Sequence, residues 1–375
     1  MRISLLLCAL LISAGLASGQ GAVRLYNEAT EYYMDGAYQQ AEEHVKLALK
    51  IQKTYPDAWF LLGQCYLEEG KYRKALRMYK KALKLTPTEP DYLYHRGLAY
   101  EAWGKLQKAV GEYRATVDTD PGYALAWDRL AAIYMDAGAY ETAYGYYSES
   151  IRALPMQVDS YLRRALAAYK AGLYGKCIDD CNKALAIDAD QAAAYSQRAR
   201  ARFQGGDLMS AVNDYSQVLT LLPKDADAFL NRGVALLVLG LRPQAEEDLQ
   251  AAVGLDSTLV NGWWNLATLH FEEGTYDLAR KEATKATELY ELDADAWLLL
   301  GRIEFEQRNY EAAIRAYNRA IVLDKRLAEA YLNRGEAKRV LEDMKGACKD
   351  WNRVLELDDS IHAEKAENWI LINCK

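Results

Sequence analysis

Few residues in this chain can carry covalent or metal chemistry. Its 375 residues include four histidines, six cysteines and seven prolines. His44, His95, His270 and His362 stand far apart, so a metal centre with several convergent donors is not expected. Cys8 lies in an apolar run at the start, which leaves Cys65, Cys177, Cys181, Cys348 and Cys374. That odd, sparse set is no disulfide framework, and a single Cys348–Cys374 bridge in an oxidising compartment is the minority reading. Cys177 and Cys181 are one helical turn apart and read as small core residues, not as a metal or redox pair. No GxGxxG, HExxH or GxSxG is present, and Gly172 to Cys177 has the wrong spacing for a P-loop and lacks its Ser/Thr. No catalytic residue and no cofactor is therefore expected. Positive charge is also short, with 46 Lys and Arg against 53 Asp and Glu, a net charge of −7. That excludes nucleic acid as the main partner, because phosphate binding needs clustered cations. There is no Pro/Gly/Ser-rich linker, and after the first 19 residues no apolar run is long enough to span a bilayer.

What the chain does have is apolar residues, at 51 %, and 28 tyrosines, a composition that suits packed helices and argues against disorder. Residues 1–19 stand apart. Arg2 precedes an apolar run from Ile3 to Leu16, and then come Ala17, Ser18 and Gly19. This reads as an export signal cleaved before Gln20, with an uncleaved anchor as the alternative.

Beyond the signal, one stretch organises the rest: Pro56 to Glu89. Trp59, Leu62, Gly63 and Tyr66 share one helical face. Asp57 sits where it can cap that helix, and Gly70 ends it. Tyr72, Ala75, Tyr79, Ala82 and Leu83 form the apolar face of a second helix, and Pro87 closes the unit. Numbering Pro56 as position 1, steps of 34 from Gly63 at position 8 land only on Gly or Ala, from Ala29 to Gly335. The same steps from Ala75 at position 20 land on Ala every time except at Cys177. The turn glycine recurs from Gly36 to Gly274 and fails only at Arg308 and Glu342.

This pattern resembles the tetratricopeptide repeat (TPR) signature. It divides the chain into ten units: 22–55, 56–89, 90–123, 124–157, 158–191, 192–225, 226–259, 260–293, 294–327 and 328–361. The tail, 362–375, carries Ala363, Ala366, Trp369 and Ile370 at helical spacing and reads as a capping helix, with a frayed terminus as the alternative. The expected fold is all-α, a right-handed superhelical solenoid without a domain break.

Position 7 is Arg in five repeats: Arg96, Arg164, Arg198, Arg232 and Arg334. Sixteen residues later those repeats carry Glu112, Asp180, Asp214, Asp248 and Asp350. Where position 7 is Leu, only Glu282 is acidic. Repeat 1 offers Glu28 with His44. Positions 8 and 20 meet in a hairpin, so 7 and 23 are predicted to form ion pairs inside each repeat. Those arginines are then spent on the fold.

The resemblance implies a concave face made by positions 2, 5, 9 and 12 of the first helices. Tyr26, Tyr33, Phe60, Tyr94, Tyr169, Phe203, Trp264, Phe271 and Phe305 occupy positions 5 and 12, with Arg163, Arg200 and Arg302 on or beside the same rows. Aromatic and Arg side chains are the usual binding anchors; the competing reading is packing between neighbouring helices. The Lys/Asn/Arg clamp of chaperone-binding relatives is absent, and Asn231, Asn265 and Asn333 are expected to bond backbone or neighbouring helices. The resemblance implies a non-enzymatic scaffold that binds a peptide or protein, exported to the periplasm or secreted. An ER-lumen co-chaperone and a self-associating assembly subunit are the alternatives. The absence of an Asn-x-Ser/Thr sequon weighs for the bacterial setting. Partner and oligomeric state are open.

Overall fold

The computed structural model describes residues 19–357 and 360–374. The export signal expected over 1–19 lies outside them except for Gly19, and so does Cys8. The chain divides into two compact units, Met1–Gln191 and Ala192–Lys375. The first contains five helical hairpins: α1 (Gly19–Met34) with α2 (Tyr38–Ile51), α3 (Pro56–Glu68) with α4 (Tyr72–Leu85), α5 (Pro90–Ala102) with α6 (Leu106–Thr119), α7 (Ala124–Asp136) with α8 (Tyr140–Ala153), and α9 (Val158–Lys170) with α10 (Tyr174–Ile187). The second contains five more: α11 (Ala192–Gln204) with α12 (Leu208–Leu221), α13 (Ala226–Val238) with α14 (Arg242–Leu255), α15 (Val260–Glu272) with α16 (Tyr276–Leu289), α17 (Ala294–Glu306) with α18 (Tyr310–Leu323), and α19 (Ala328–Val340) with α20 (Met344–Glu356). α21 (Ser360–Asn373) follows. The described residues contain no strand, and none of their helices is long and apolar enough to cross a membrane.

Each first helix stops for a backbone reason. In the second hairpin the N–H of Gly70 donates to Leu67 O and the N–H of Lys71 to Tyr66 O. This pair of bonds satisfies the last carbonyls of the helix and puts the turn residue in the left-handed region. Eight turn glycines hold φ between 70° and 84°. Arg308 and Glu342, where the glycine series fails, hold φ of 64° and 63°. Their turns close with the same bonds, Asn309 N–H to Glu304 O and Asp343 N–H to Lys338 O. The turn is thus imposed by the hydrogen bonds, and a side chain there bears the steric cost of that conformation.

The small residues have distinct uses. Position 20 is fully buried in every hairpin, from Ala41 through Cys177 to Ala347. In four hairpins position 8 is glycine and a large ring passes directly over it. A Cβ on Gly63 would sit 2.5 Å from the Tyr79 ring, and one on Gly301 2.4 Å from the Tyr317 ring. Gly335 receives Trp351 in the same way. At these four sites the close approach is of ring against backbone. The position-4 tryptophans tie neighbouring hairpins: Trp59, Trp127, Trp263 and Trp297 each donate Nε1–H to a carbonyl six residues upstream at 2.9–3.0 Å.

Helix α21 packs Ala366, Trp369 and Ile370 against Trp351 and Val354, so the tail is a cap. Contrary to the favoured reading of the cysteines, Cys348 and Cys374 are joined by a disulfide that holds α21 to α20. Cys65, Cys177 and Cys181 are buried thiols.

Candidate functional site

The arginine–acid pairs form in all five repeats. Arg164, Arg198, Arg232 and Arg334 each present Nε and Nη2 to both oxygens of their aspartate at 2.6–2.9 Å. Arg96 reaches Glu112 through Nη2 at 2.5 Å. The aspartates are buried, Asp180 at 1 % exposure, so a two-pronged donor is needed to offset their desolvation. Several of these arginines also reach back to the preceding hairpin: Arg164 to Ser148, Arg232 to Ser216, Arg334 to Asn318. The weaker pair in repeat 1 forms too, with His44 Nε2 3.8 Å from Glu28.

A second cation row, at position 11, escaped the sequence reading. Arg202 and Lys338 reach Asp214 and Asp350 at 2.7 and 2.8 Å. His270 takes the arginine's place for Glu282, with Nδ1 at 2.7 Å from it and Nε2 at 3.3 Å from Glu246 of the preceding hairpin. Burial opposes a charge on His270, but the hydrogen bonds and charges of Glu282 and Glu246 outweigh it and raise its pKa. Burial likewise raises that of Glu282. A spacing of twelve from acid back to cation was the signal available.

The candidate groove residues separate sharply. In the first unit the rings are packed against other rings. Tyr26 lies 5.0 Å from Tyr55, and Tyr33 lies 5.4 Å from Tyr38. Phe60 stacks on Tyr92 at 4.6 Å and meets His95 edge-on. Tyr94 is buried between Tyr113 and Tyr123. Tyr169 sits against Tyr174 at 5.7 Å, and exposed Arg163 pairs with Asp159. In the second unit Arg200 is exposed, Phe203 packs on Ala199, Ala211 and Tyr215, and Trp264 packs beside Ala267 and Ala283. The Trp264 Nε1–H is buried without a hydrogen-bond partner.

Three candidates converge. Phe271 from α15 and Arg302 and Phe305 from α17 line one cavity of about 250 Å³. The Arg302 guanidinium lies 4.7 Å over the Phe271 ring and 3.6 Å from Glu329. Glu306 and Tyr317 come from α17 and α18; Glu329, Asn333 and Glu336 from α19; Lys365 from the cap. Phe271 and Phe305 each lean on the tyrosine that opens the next helix, Tyr276 and Tyr310, which leaves their other sides to the cavity. Two larger grooves, about 560 and 680 Å³, run beside Trp263 and Trp297 among second-helix cations such as Arg280 and Arg315. None of the groove candidates lines them. Among the described residues no group of His, Cys, Asp and Glu could hold a metal ion.

Models of the TPR repeat match residues 63–104 and 199–240, and models of the tetratricopeptide repeat match residues 45–77 and 265–326. None of the curated protein sequences matches the chain. Among solved structures, the C-terminal part of a TPR repeat-containing protein from Cytophaga hutchinsonii is 18 % identical, with 63 % of this chain and 97 % of that one covered and a TM-score of 0.56. Pseudomonas aeruginosa PilF is 19 % identical over 56 % of this chain and 96 % of its own, with a TM-score of 0.50. Yeast Tom70 is 16 % identical over 95 % and 97 %, with a TM-score of 0.45. With these repeat models, the unbroken 34-residue period and the stacked hairpins, the chain belongs to the tetratricopeptide repeat family.

Proposed function

We propose that this protein is a non-enzymatic scaffold for protein–protein interaction. It holds a peptide or protein segment against the concave groove of its first helices, and it works outside the cytoplasm after export. One observation carries the reading: Phe271, Arg302 and Phe305, from two neighbouring first helices, meet at one open cavity. Aromatic rings with an arginine are the side chains from which binding hot spots are most often built. Export is supported by the basic start, apolar run and small residues over 1–19. The Cys348–Cys374 bridge is at home in an oxidising compartment.

A pull-down from the native compartment tests the reading, with wild type beside a Trp264→Ala/Phe271→Ala variant that keeps its helical circular dichroism. Loss of recovered partners is expected; identical partners would contradict a binding role for the groove. Sequencing the mature N-terminus tests export, with Gln20 expected first.

A further inference from the structure

We infer that the cavity between α17, α19 and α21 receives the ammonium or guanidinium of a Lys or Arg side chain, so that the segment bound is a basic one. The inference rests on the groove reading above and adds to it the charge of the partner.

The count of unspent groups points this way. Two cations line the cavity, and both are engaged. Arg302 is held by Glu329 and the Phe271 ring, and the Lys365 ammonium lies 4.5 Å over the Trp369 ring. Glu306 and Glu336 line the same cavity and pair with no cation among the described residues. Two further acceptors are idle. Asn231 and Asn265, at the same repeat position as Asn333, donate to backbone carbonyls four residues back at 2.7 Å. Asn333 makes no such bond and faces the cavity instead.

Tyr317 is the independent sign of a missing partner. Its side chain is 1 % exposed, its hydroxyl has no hydrogen bond, and it lines the cavity. The hydroxyl is not sealed in as that of Tyr79 is, so it is accessible to a partner from the cavity. Burial raises its pKa; Arg302 works against this, and Glu329, Glu336 and Glu306 add to it. The hydroxyl therefore stays protonated amid a net negative field and keeps lone pairs free to accept. Two free carboxylates, a phenol oxygen and a carboxamide oxygen are an acceptor set for N–H donors. An anion would find the Asn333 amide and the Tyr317 O–H, but both lining cations are already engaged and the carboxylates would repel it. The Phe305 ring adds a face on which a cation is stabilised. A volume of about 250 Å³ suits one long side chain and not a whole small molecule.

Fluorescence anisotropy with labelled (Gly-Lys-Leu)n, (Gly-Gln-Leu)n and (Gly-Glu-Leu)n peptides of one length, on the full chain at physiological ionic strength, tests this. The Lys peptide should bind tightest and the Glu peptide weakest. Glu306→Gln/Glu336→Gln should weaken the Lys peptide by about ten- to hundredfold and leave the Gln peptide unchanged. Tyr317→Phe should weaken it severalfold. Glu31→Gln/Glu247→Gln, which removes the same net charge elsewhere, should have no effect. Equal affinity for Lys and Gln peptides would overturn the cation site. So would an equal loss in the two double variants. If Phe271→Ala/Phe305→Ala still weakened all three peptides, the groove reading would stand without the cation site. Binding of none would overturn both.

Discussion

Two tyrosines at the same repeat position meet opposite fates. Tyr113 and Tyr317 both sit at position 24 and both pass under a position-8 glycine, Gly97 or Gly301. In the first unit the Tyr113 hydroxyl donates to Glu101, which stands at position 12 of its own repeat. In the second unit position 12 is Phe305, which cannot accept, and the Tyr317 hydroxyl opens on a cavity. The second repeat is intermediate: Leu67 stands at position 12, and the Tyr79 hydroxyl is sealed in without a partner. A carboxylate at position 12, as in Glu101, ties the hydroxyl behind it into the fold. In the ring row, Phe271 and Phe305 each keep one tyrosine neighbour, as Tyr33 and Tyr169 do, but they also border a cavity.

Substitutions can break this comparison. The largest effect is expected at Arg164. Arg164→Ala leaves buried Asp180 without its two-pronged donor, with only the Lys183 ammonium at 4.0 Å, and should cost about 3–5 kcal/mol in urea unfolding. Its neighbour Arg163 pairs in solvent with Asp159, so Arg163→Ala should cost about 0–1 kcal/mol. Next comes Glu101→Leu, which orphans the Tyr113 hydroxyl and should cost about 1–3 kcal/mol. Adding Tyr113→Phe should restore most of that, while Tyr317→Phe alone should be near neutral. Equal costs at Tyr113 and Tyr317 would erase the distinction between them.

Smaller effects sharpen the account. His270 has a raised pKa in the fold, so the native state binds its proton more tightly than the unfolded chain. Its contribution is complete below the ordinary value of 6.5 and is lost as pH rises through the raised one. The raised pKa of Glu282 acts with the same sign, at lower pH. Thermal unfolding of His270→Gln should lose that part of the decline above pH 6.5. Arg308→Gly and Glu342→Gly should each raise stability by about 0.5–1 kcal/mol, since both sites already hold a left-handed backbone. Gly70→Ala should lower it by a similar amount.

Most of the scaffold could be read from the chain because it depends on residues whose size or charge is legible one at a time. The 34-residue period in Gly63 and Ala75 carries into the helix bounds, and each arginine at position 7 finds its acid. What could not be read was whether a group is already satisfied. Tyr94 and Phe271 look alike in a sequence, yet Tyr94 is enclosed by Tyr113 and Tyr123 while Phe271 borders a cavity. Asn333 matches Asn231 in position but not in bonding. Tyr317 and Lys365 were not singled out, because one is a core ring by pattern and the other belongs to the cap beyond the repeats. The Cys348–Cys374 bridge is only the minority reading of the sequence for a similar reason: it takes the docking of α21 to bring the two residues together.

The central claim is that binding is confined to the second unit, where the ring row opens. A benzophenone-bearing (Gly-Lys-Leu)n peptide, photo-crosslinked to the full chain and mapped by mass spectrometry, tests it most directly. Crosslinks on Phe271, Arg302, Asn333 and their neighbours are expected, with none on the row from Tyr26 to Tyr169. Crosslinks confined to that first row would contradict it.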